Sequence, residues 1–340
     1  MSNNPIILFS KPVTCRTNVI PDNFCCFFNE AEASRKYKKV YYETYKAIIK
    51  NLKNCNAKNK VIIAGRFSEL FFLRQGVMKY NNTPSILLDI EWHWRYRNKL
   101  NLKNILNRNH HRLIAQGSTF LTVFCEEERR TYSEAYGIPL TKILWHPFCS
   151  DVDESVNSVN HERGKYLFTG GLHDRDYHTL FNAIRDTPIK LRVAAPEAHF
   201  NNIKLPDNVT ILGTISYKQY LDEIEGSIGV VLSLDSTSET CSLRCPGVIT
   251  YLTAMRMRKC VIVNELLGAA SYITNGKHGI LVEPNNVEQL NNAILTVWNN
   301  YKYRQILADN AYVHSHLNFG YDRYFNDLNK FSEMAINKVI

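Results

Sequence analysis

Two short stretches of this chain combine glycines, an arginine and a proline in an order suited to holding an anionic group. Tyr166 to Thr169 reads as an apolar strand and Gly170-Gly171 as a tight turn, with Arg175 close behind. Leu180, Phe181, Ala183 and Ile184 then fall at helical spacing. Further on, Pro246-Gly247 stands at the head of a second helical pattern. A helix start presents N–H groups without intrahelical partners at the positive end of the dipole, so each joint suits a phosphate. The amides of Gly247, Val248 and Ile249 would clamp the anion from one side and Arg175 would add charge from the other, with Pro246 fixing the direction of helix entry. The plainer alternatives are an ion pair of Arg175 with Asp174 or Asp176, and an ordinary Pro-Gly turn.

A second constellation follows the apolar run that ends at Ile90. Asp89-Ile90-Glu91-Trp92-His93-Trp94-Arg95-Tyr96-Arg97 sets carboxylates, a histidine, aromatic rings and two arginines side by side. Asp89, Glu91 and His93 could hold or deprotonate a hydroxyl, and the tryptophan faces could stack on a sugar or a base. The alternative is buried tryptophans among solvated charges. His110-His111 and His146 have no partner at metal spacing and are expected to be structural. Of two D-x-D strings, Asp151-Val152-Asp153 lies in a polar stretch and Asp174-Arg175-Asp176 opens a helix, so no metal is expected at either. Cys241 and Cys245 lack the second pair that a zinc site needs.

The elements needed to carry these groups alternate along the chain. Apolar strands read at 6–9, 61–65, 85–90 and 120–125, with helices over 37–52, 67–78, 100–116 and 126–136. Two of the helices, 37–52 and 100–116, are amphipathic and basic. Residues 150–164 are polar and read as a linker. Strands follow at 165–169, 190–195, 209–213, 228–234, 260–264 and 279–283, with helical patterns over 286–313 and 321–336. This predicts an α/β protein of two Rossmann-like domains, 1–149 and 165–318.

The chain has 340 residues, 45% of them apolar, enough for two full cores. No run of eighteen apolar residues and no signal-peptide pattern is present, which predicts a cytoplasmic protein. Nine cysteines in an irregular, odd set predict free thiols in a reducing compartment. Residues 1–150 hold 23 Lys and Arg against 11 Asp and Glu, a net +12, whereas the remainder is near −3. The first half is therefore expected to face an anionic partner, unless its lysines merely solvate helices.

The two phosphate-type segments, in this order, resemble the nucleotide-binding half of the GT-B glycosyltransferases, and more closely the retaining family numbered four. The resemblance rests on Gly247, Ala254-Met255, Cys260 to Val263, Gly268, Ile273, Gly279 and Leu281-Val282-Glu283-Pro284, together with Gly170-Gly171 and Arg175-Asp176-Tyr177. It implies GT-B architecture, with two Rossmann-like domains facing each other across a cleft, and a final helix, within 319–340, that crosses back to the first domain. It implies a donor site at Gly170, Gly171, Arg175, Gly213, Glu239, Arg244, Cys245, Pro246, Gly247, Val248, Ile249 and Thr253. Arg175 matches a lysine that contacts the donor diphosphate, while Gly171 falls where relatives carry an arginine. The family's two glutamates, eight positions apart, are replaced by Cys245 and Thr253. Thr253 would accept only a weak bond from a ribose hydroxyl, and Glu239 or Arg244 would have to replace the sugar contact of the first.

The expected activity is metal-independent, retaining transfer of a sugar from a UDP- or GDP-linked donor, with no cofactor. The expected acceptor is a lipid-linked or polysaccharide intermediate at the inner membrane surface, where basic helices meet anionic headgroups. One alternative is a DNA glycosyltransferase acting on a modified base. Another is a sugar-nucleotide-binding protein that has lost turnover.

Overall fold

The computed structural model describes residues 6–11, 17, 20–36, 39–55, 60–78, 83–90, 92, 102–150, 152, 164–171, 174–235, 246–266 and 268–339. The chain forms two compact units, residues 1–148 with 321–340, and residues 149–320.

Unit 1 runs β1 (Ile6–Lys11), β2 (Phe24–Asn29), α1 (Glu30–Lys36), α2 (Val40–Asn54), β3 (Lys60–Ala64), α3 (Glu69–Met78), β4 (Ser85–Leu87), α4 (Leu102–Gln116), β5 (Phe120–Val123), α5 (Glu126–Tyr136) and β6 (Ile143–Trp145). Its six strands pair in parallel in the order β2-β1-β3-β4-β5-β6. Val61, Ile62, Ile63 and Ala64 are all fully buried, as the uninterrupted apolar run of a strand covered on both faces requires. The last helix of the chain, Tyr321–Val339, belongs to this unit. Its Tyr324 carbonyl lies 3.3 Å from His146 Nε2, and Phe325 meets Phe24 edge to face at 5.1 Å. Burial lowers the His146 pKa to about 4, so the imidazole is neutral and structural.

Unit 2 runs β7 (Leu167–Gly170), α6 (Tyr177–Ile184), β8 (Leu191–Ala194), β9 (Val209–Ile211), α7 (Tyr217–Gly226), β10 (Gly229–Leu232), α8 (Val248–Arg256), β11 (Cys260–Asn264), α9 (Ala269–Tyr272), β12 (Ile280–Val282), α10 (Val287–Asn299) and α11 (Tyr301–Asn318). The parallel order is β12-β11-β10-β7-β8-β9. Leu290, Ala293, Ile294 and Val297 form the buried stripe of α10 and close the core with Leu180, Phe181 and Ile184 of α6.

The structure departs from the sequence reading in two places. Phe24–Asn29 is an additional strand, pairing with β1 alone, and α1 follows it directly. The expected single helical stretch 286–313 is two helices, because the Asn300 side chain accepts from the Tyr303 N–H and starts α11 afresh.

Strand order places one reversal in each sheet. In sheet 1 the chain leaves β1 first toward β2 and later to the other side at β3; in sheet 2 it leaves β7 toward β8 and returns to its other side at β10. Each reversal opens a crevice at the carboxyl ends of the two diverging strands.

Candidate functional site

In unit 2 the crevice lies between β7 and β10, and the first phosphate-type segment is built into it. The Asp174–Asp176 stretch is pinned to the continuation of β10: Arg175 bridges Leu234 in antiparallel sense, Asp176 N–H donates to the Ser233 carbonyl at 2.9 Å, and Asp235 N–H donates to the Asp174 carbonyl at 3.1 Å. Arg175 is half-buried and folds back toward the strand end, donating from Nε and Nη2 to the Gly170 carbonyl at 3.2 and 3.0 Å. Burial lowers the guanidinium pKa, the direction expected for a cation withdrawn from water. Asp176 caps α6, its carboxylate accepting from Thr179 N–H at 2.9 Å. That carboxylate is thus engaged by the helix start. Among the described residues no group of three or more His, Cys, Asp or Glu is placed to hold a metal ion.

Gly170 and Gly171 have separate reasons to be glycine. A Cβ on Gly170 would come within 2.8 Å of the Tyr220 ring, and Gly171 has φ +134°, beside the Arg175 guanidinium. Gly247 has φ +79° and sits against Leu232 and Leu234 at the end of β10, so the start of α8 is brought to the same crevice. The N–H groups of Val248 and Ile249 lie in the first helical turn and have no intrahelical acceptor. Ile249 is exposed and Val248 buried. Asn264, which the sequence reading did not single out, ties the framework together: its Oδ1 accepts from Leu234 N–H at 2.6 Å and its Nδ2 donates to the Glu283 carbonyl at 3.4 Å. The hydroxyls of Thr169, on β7, and Ser233, just after β10, are buried and have no hydrogen-bond partner among the described residues.

Gly213 follows β9 with φ +68° and open space where a Cβ would be, leaving its backbone approachable. Thr253 is different. It is 1% exposed and its hydroxyl has no partner among the described residues, so in this conformation it does not reach an open surface. Glu239, Arg244 and Cys245 lie outside the described residues. A cavity of about 630 Å³ opens beside Arg175, lined also by Tyr177, His178, His199, Asp235 and Asn285.

In unit 1, Asp89 is 4% exposed with φ +58°, its N–H donating to Thr122 Oγ1 at 2.8 Å. Glu91 and His93 lie outside the described residues. Trp92 corrects the view of that stretch as an aromatic platform: it is 4% exposed, donates to Glu69 Oε1 at 2.8 Å and stacks on His111 at 4.6 Å. The sequence reading missed Glu30. This carboxyl sits at the β1/β3 crevice, accepting from Ser10 Oγ and Gly65 N–H, each at 3.0 Å. Burial pushes its pKa up to about 8 and the Asp89 charge adds to the rise, so at neutral pH Glu30 keeps its proton. Its only sequence signal is Asn29-Glu30 after an aromatic run, where Asn29 Oδ1 caps α1 by accepting from Ala31 and Glu32 N–H.

Residues 178–314 match the family model of the glycosyl transferases group 1. The fold is similar to that of sucrose-phosphate synthase from Thermosynechococcus elongatus, with TM-score 0.62 and 13% identity over 88% of this chain and 80% of that one. It is similar to Anabaena HepE in complex with UDP, with TM-score 0.61 and 12% identity over 85% and 82% of the two chains. A third similar structure is the S. aureus TarM G117R mutant in complex with fondaparinux, alpha-GlcNAc-glycerol and UDP, with TM-score 0.60 and 14% identity, covering 86% of this chain and 58% of that one. None of the curated protein sequences matches the chain. The chain has the GT-B fold, and its residues 178–314 match the glycosyl transferases group 1 model.

Proposed function

We propose that this protein is a glycosyltransferase that moves a sugar from a nucleotide-diphosphate sugar to an acceptor bound by unit 1, with retention and without a metal. The observation that carries the reading is the convergence of Arg175, Gly171 and the Gly247 start of α8 on the β7/β10 crevice. A leaving diphosphate placed there meets backbone N–H groups and the end of a helix dipole already oriented, so its developing charge is stabilised without reorganisation. Arg175 fixes the glycine turn through Gly170 and brings a positive charge next to it. The UDP held by HepE and TarM, proteins of similar fold, supports UDP as the leaving group.

The acceptor is a lipid-linked or polysaccharide intermediate at an anionic membrane surface. Leu102, Ile105 and Leu106 on α4 are 72%, 46% and 60% exposed, and Arg108 and Arg112 occupy exposed positions on the following turns. An apolar stripe edged by cations is the pattern of a helix that lies in the headgroup region. No described helix is long and apolar enough to cross a membrane.

Calorimetry with UDP tests the donor site. Arg175→Ala should weaken UDP by about 1.5 to 3 kcal/mol, the worth of a charge-assisted hydrogen bond, in a variant that still folds. Unchanged affinity would remove Arg175 from the site.

A further inference from the structure

At the amino-terminal edge of the unit 1 sheet, the end opposite the strand termini that carry Ser10, Glu30 and Gly65, a cavity of about 310 Å³ is lined by Ser118, Thr119, Lys142, Lys338 and Val339. Thr119 and Lys142 directly precede β5 and β6, and Lys338 is in the last turn of the final helix. Two cations from distant parts of the sequence are thus brought to one cavity, and among the described residues no carboxylate pairs with either. Lys338 Nζ instead lies 4.7 Å from the centre of the Phe120 ring. Burial, with a further contribution from the Lys338 charge, lowers the Lys142 pKa to about 8.

The hydroxyls sharpen the chemistry. Thr119, 4% exposed, accepts through Oγ1 from Ser85 N–H at 3.0 Å, which leaves its own proton to donate. Ser118 Oγ already donates to the Ala115 carbonyl at 3.1 Å. The side chains lining the cavity therefore include two ammonium groups and a hydroxyl with a proton to donate, and a ligand that pairs with them carries negative charge and acceptor oxygens. A carboxylate presents two oxygens in a plane, whereas a phosphoryl group presents three around a tetrahedral centre and a second charge, and lysine serves it well as a point charge.

We propose that Lys142, Lys338 and Thr119 form a second anion site, specific for a phosphoryl dianion and separate from the β7/β10 crevice. The volume admits a phosphate with a small substituent. The phosphoryl group comes either from a free phosphorylated metabolite or from the headgroup of an anionic lipid, and the same donors meet both. Bound charge also returns Lys142 to its protonated form, so at pH 8, where phosphate is already a dianion, binding takes up protons.

Calorimetry on the full chain at pH 8 and constant ionic strength, in two buffers of different ionisation enthalpy, tests this with inorganic phosphate, and sedimentation with phosphatidic acid vesicles tests the lipid source. Saturable phosphate binding with proton uptake, at least tenfold weaker in Lys142→Met and in Lys338→Met, supports a free ligand. Vesicle binding that needs both lysines, without binding of free phosphate, supports a headgroup. Absence of both, or equal affinity in the double Met variant, overturns the proposal. Thermal unfolding of the variants keeps the result separate from misfolding, and both substitutions keep an unbranched apolar stem while removing the ammonium group.

Discussion

The guanidinium of Arg175 lies in the space that a side chain on residue 171 would need, so Gly171 and Arg175 form a matched pair at the end of β7. This accounts for the absence of the arginine that the family resemblance places at position 171: its volume is already filled by the cation four residues on. Gly171→Ala should therefore act twice. With φ at +134° the new Cβ is strained, at about 1 to 3 kcal/mol, and it must displace Arg175 from the Gly170 carbonyl. The expected outcome is a lower melting temperature together with weaker UDP binding. A folded variant with unchanged UDP affinity would separate Arg175's position from donor binding.

Glu30 makes a prediction about pH. Its pKa in the folded protein is about 8 against an ordinary 4.5, so the native state holds a proton that the unfolded chain releases across that interval. Stability must then fall as pH rises from about 4.5 to about 8, and this contribution levels off on either side. Glu30→Gln keeps an acceptor for Ser10 and Gly65 and removes the titration. Denaturant melts should show a flatter pH dependence in that window and, at pH 8, a variant more stable than the parent by an amount on the order of a few kcal/mol. An unchanged slope would mean that Glu30 ionises in the folded protein at ordinary pH.

Both of these residues also mark where the sequence could and could not be read. Gly170-Gly171, Arg175 and Pro246-Gly247 were legible because they are local: a glycine turn after an apolar strand and a helix start are each written in a few adjacent residues. Strand β2 was not legible, since Phe-Cys-Cys-Phe-Phe-Asn has neither strict alternation nor the full burial of a central strand, and only its pairing with β1 defines it. Glu30 depends on that unread strand. Its partners, Ser10 and Gly65, are 20 and 35 residues away, so nothing in its own neighbourhood signals a buried carboxyl. Trp92 failed for the same reason, because Glu69 and His111 bury it from distant helices.

Metal dependence is the next test. Asp176 is occupied as the cap of α6, and the proposed diphosphate contacts are Arg175 and backbone N–H groups. Transfer measured with a UDP-sugar should therefore persist in excess EDTA. Loss of turnover in chelator, restored by Mn²⁺ or Mg²⁺, would show that Asp174 or another carboxylate takes part in a metal site.

The last prediction separates membrane from nucleic acid as the partner of the basic half. Leu102, Ile105 and Leu106 are exposed on α4 among the described residues, so replacing them by Ser should cost no more than about 0.5 kcal/mol of stability per substitution. If the helix lies in a headgroup layer, the same change removes the inserted apolar surface, and fully burying one leucine is worth about 1.5 to 3 kcal/mol. Binding to anionic vesicles should then drop at least tenfold, and reversing Arg108 and Arg112 to Glu should cost about 1 kcal/mol each, a loss that high salt mimics. DNA responds differently. Its affinity would fall log-linearly with salt, would weaken with the arginine reversals, and would be indifferent to the three serines, because phosphates make no use of an apolar stripe. Vesicle binding that survives the serine substitutions would move the membrane contact away from α4, and duplex binding without vesicle binding would replace the lipid-linked acceptor with a nucleic acid.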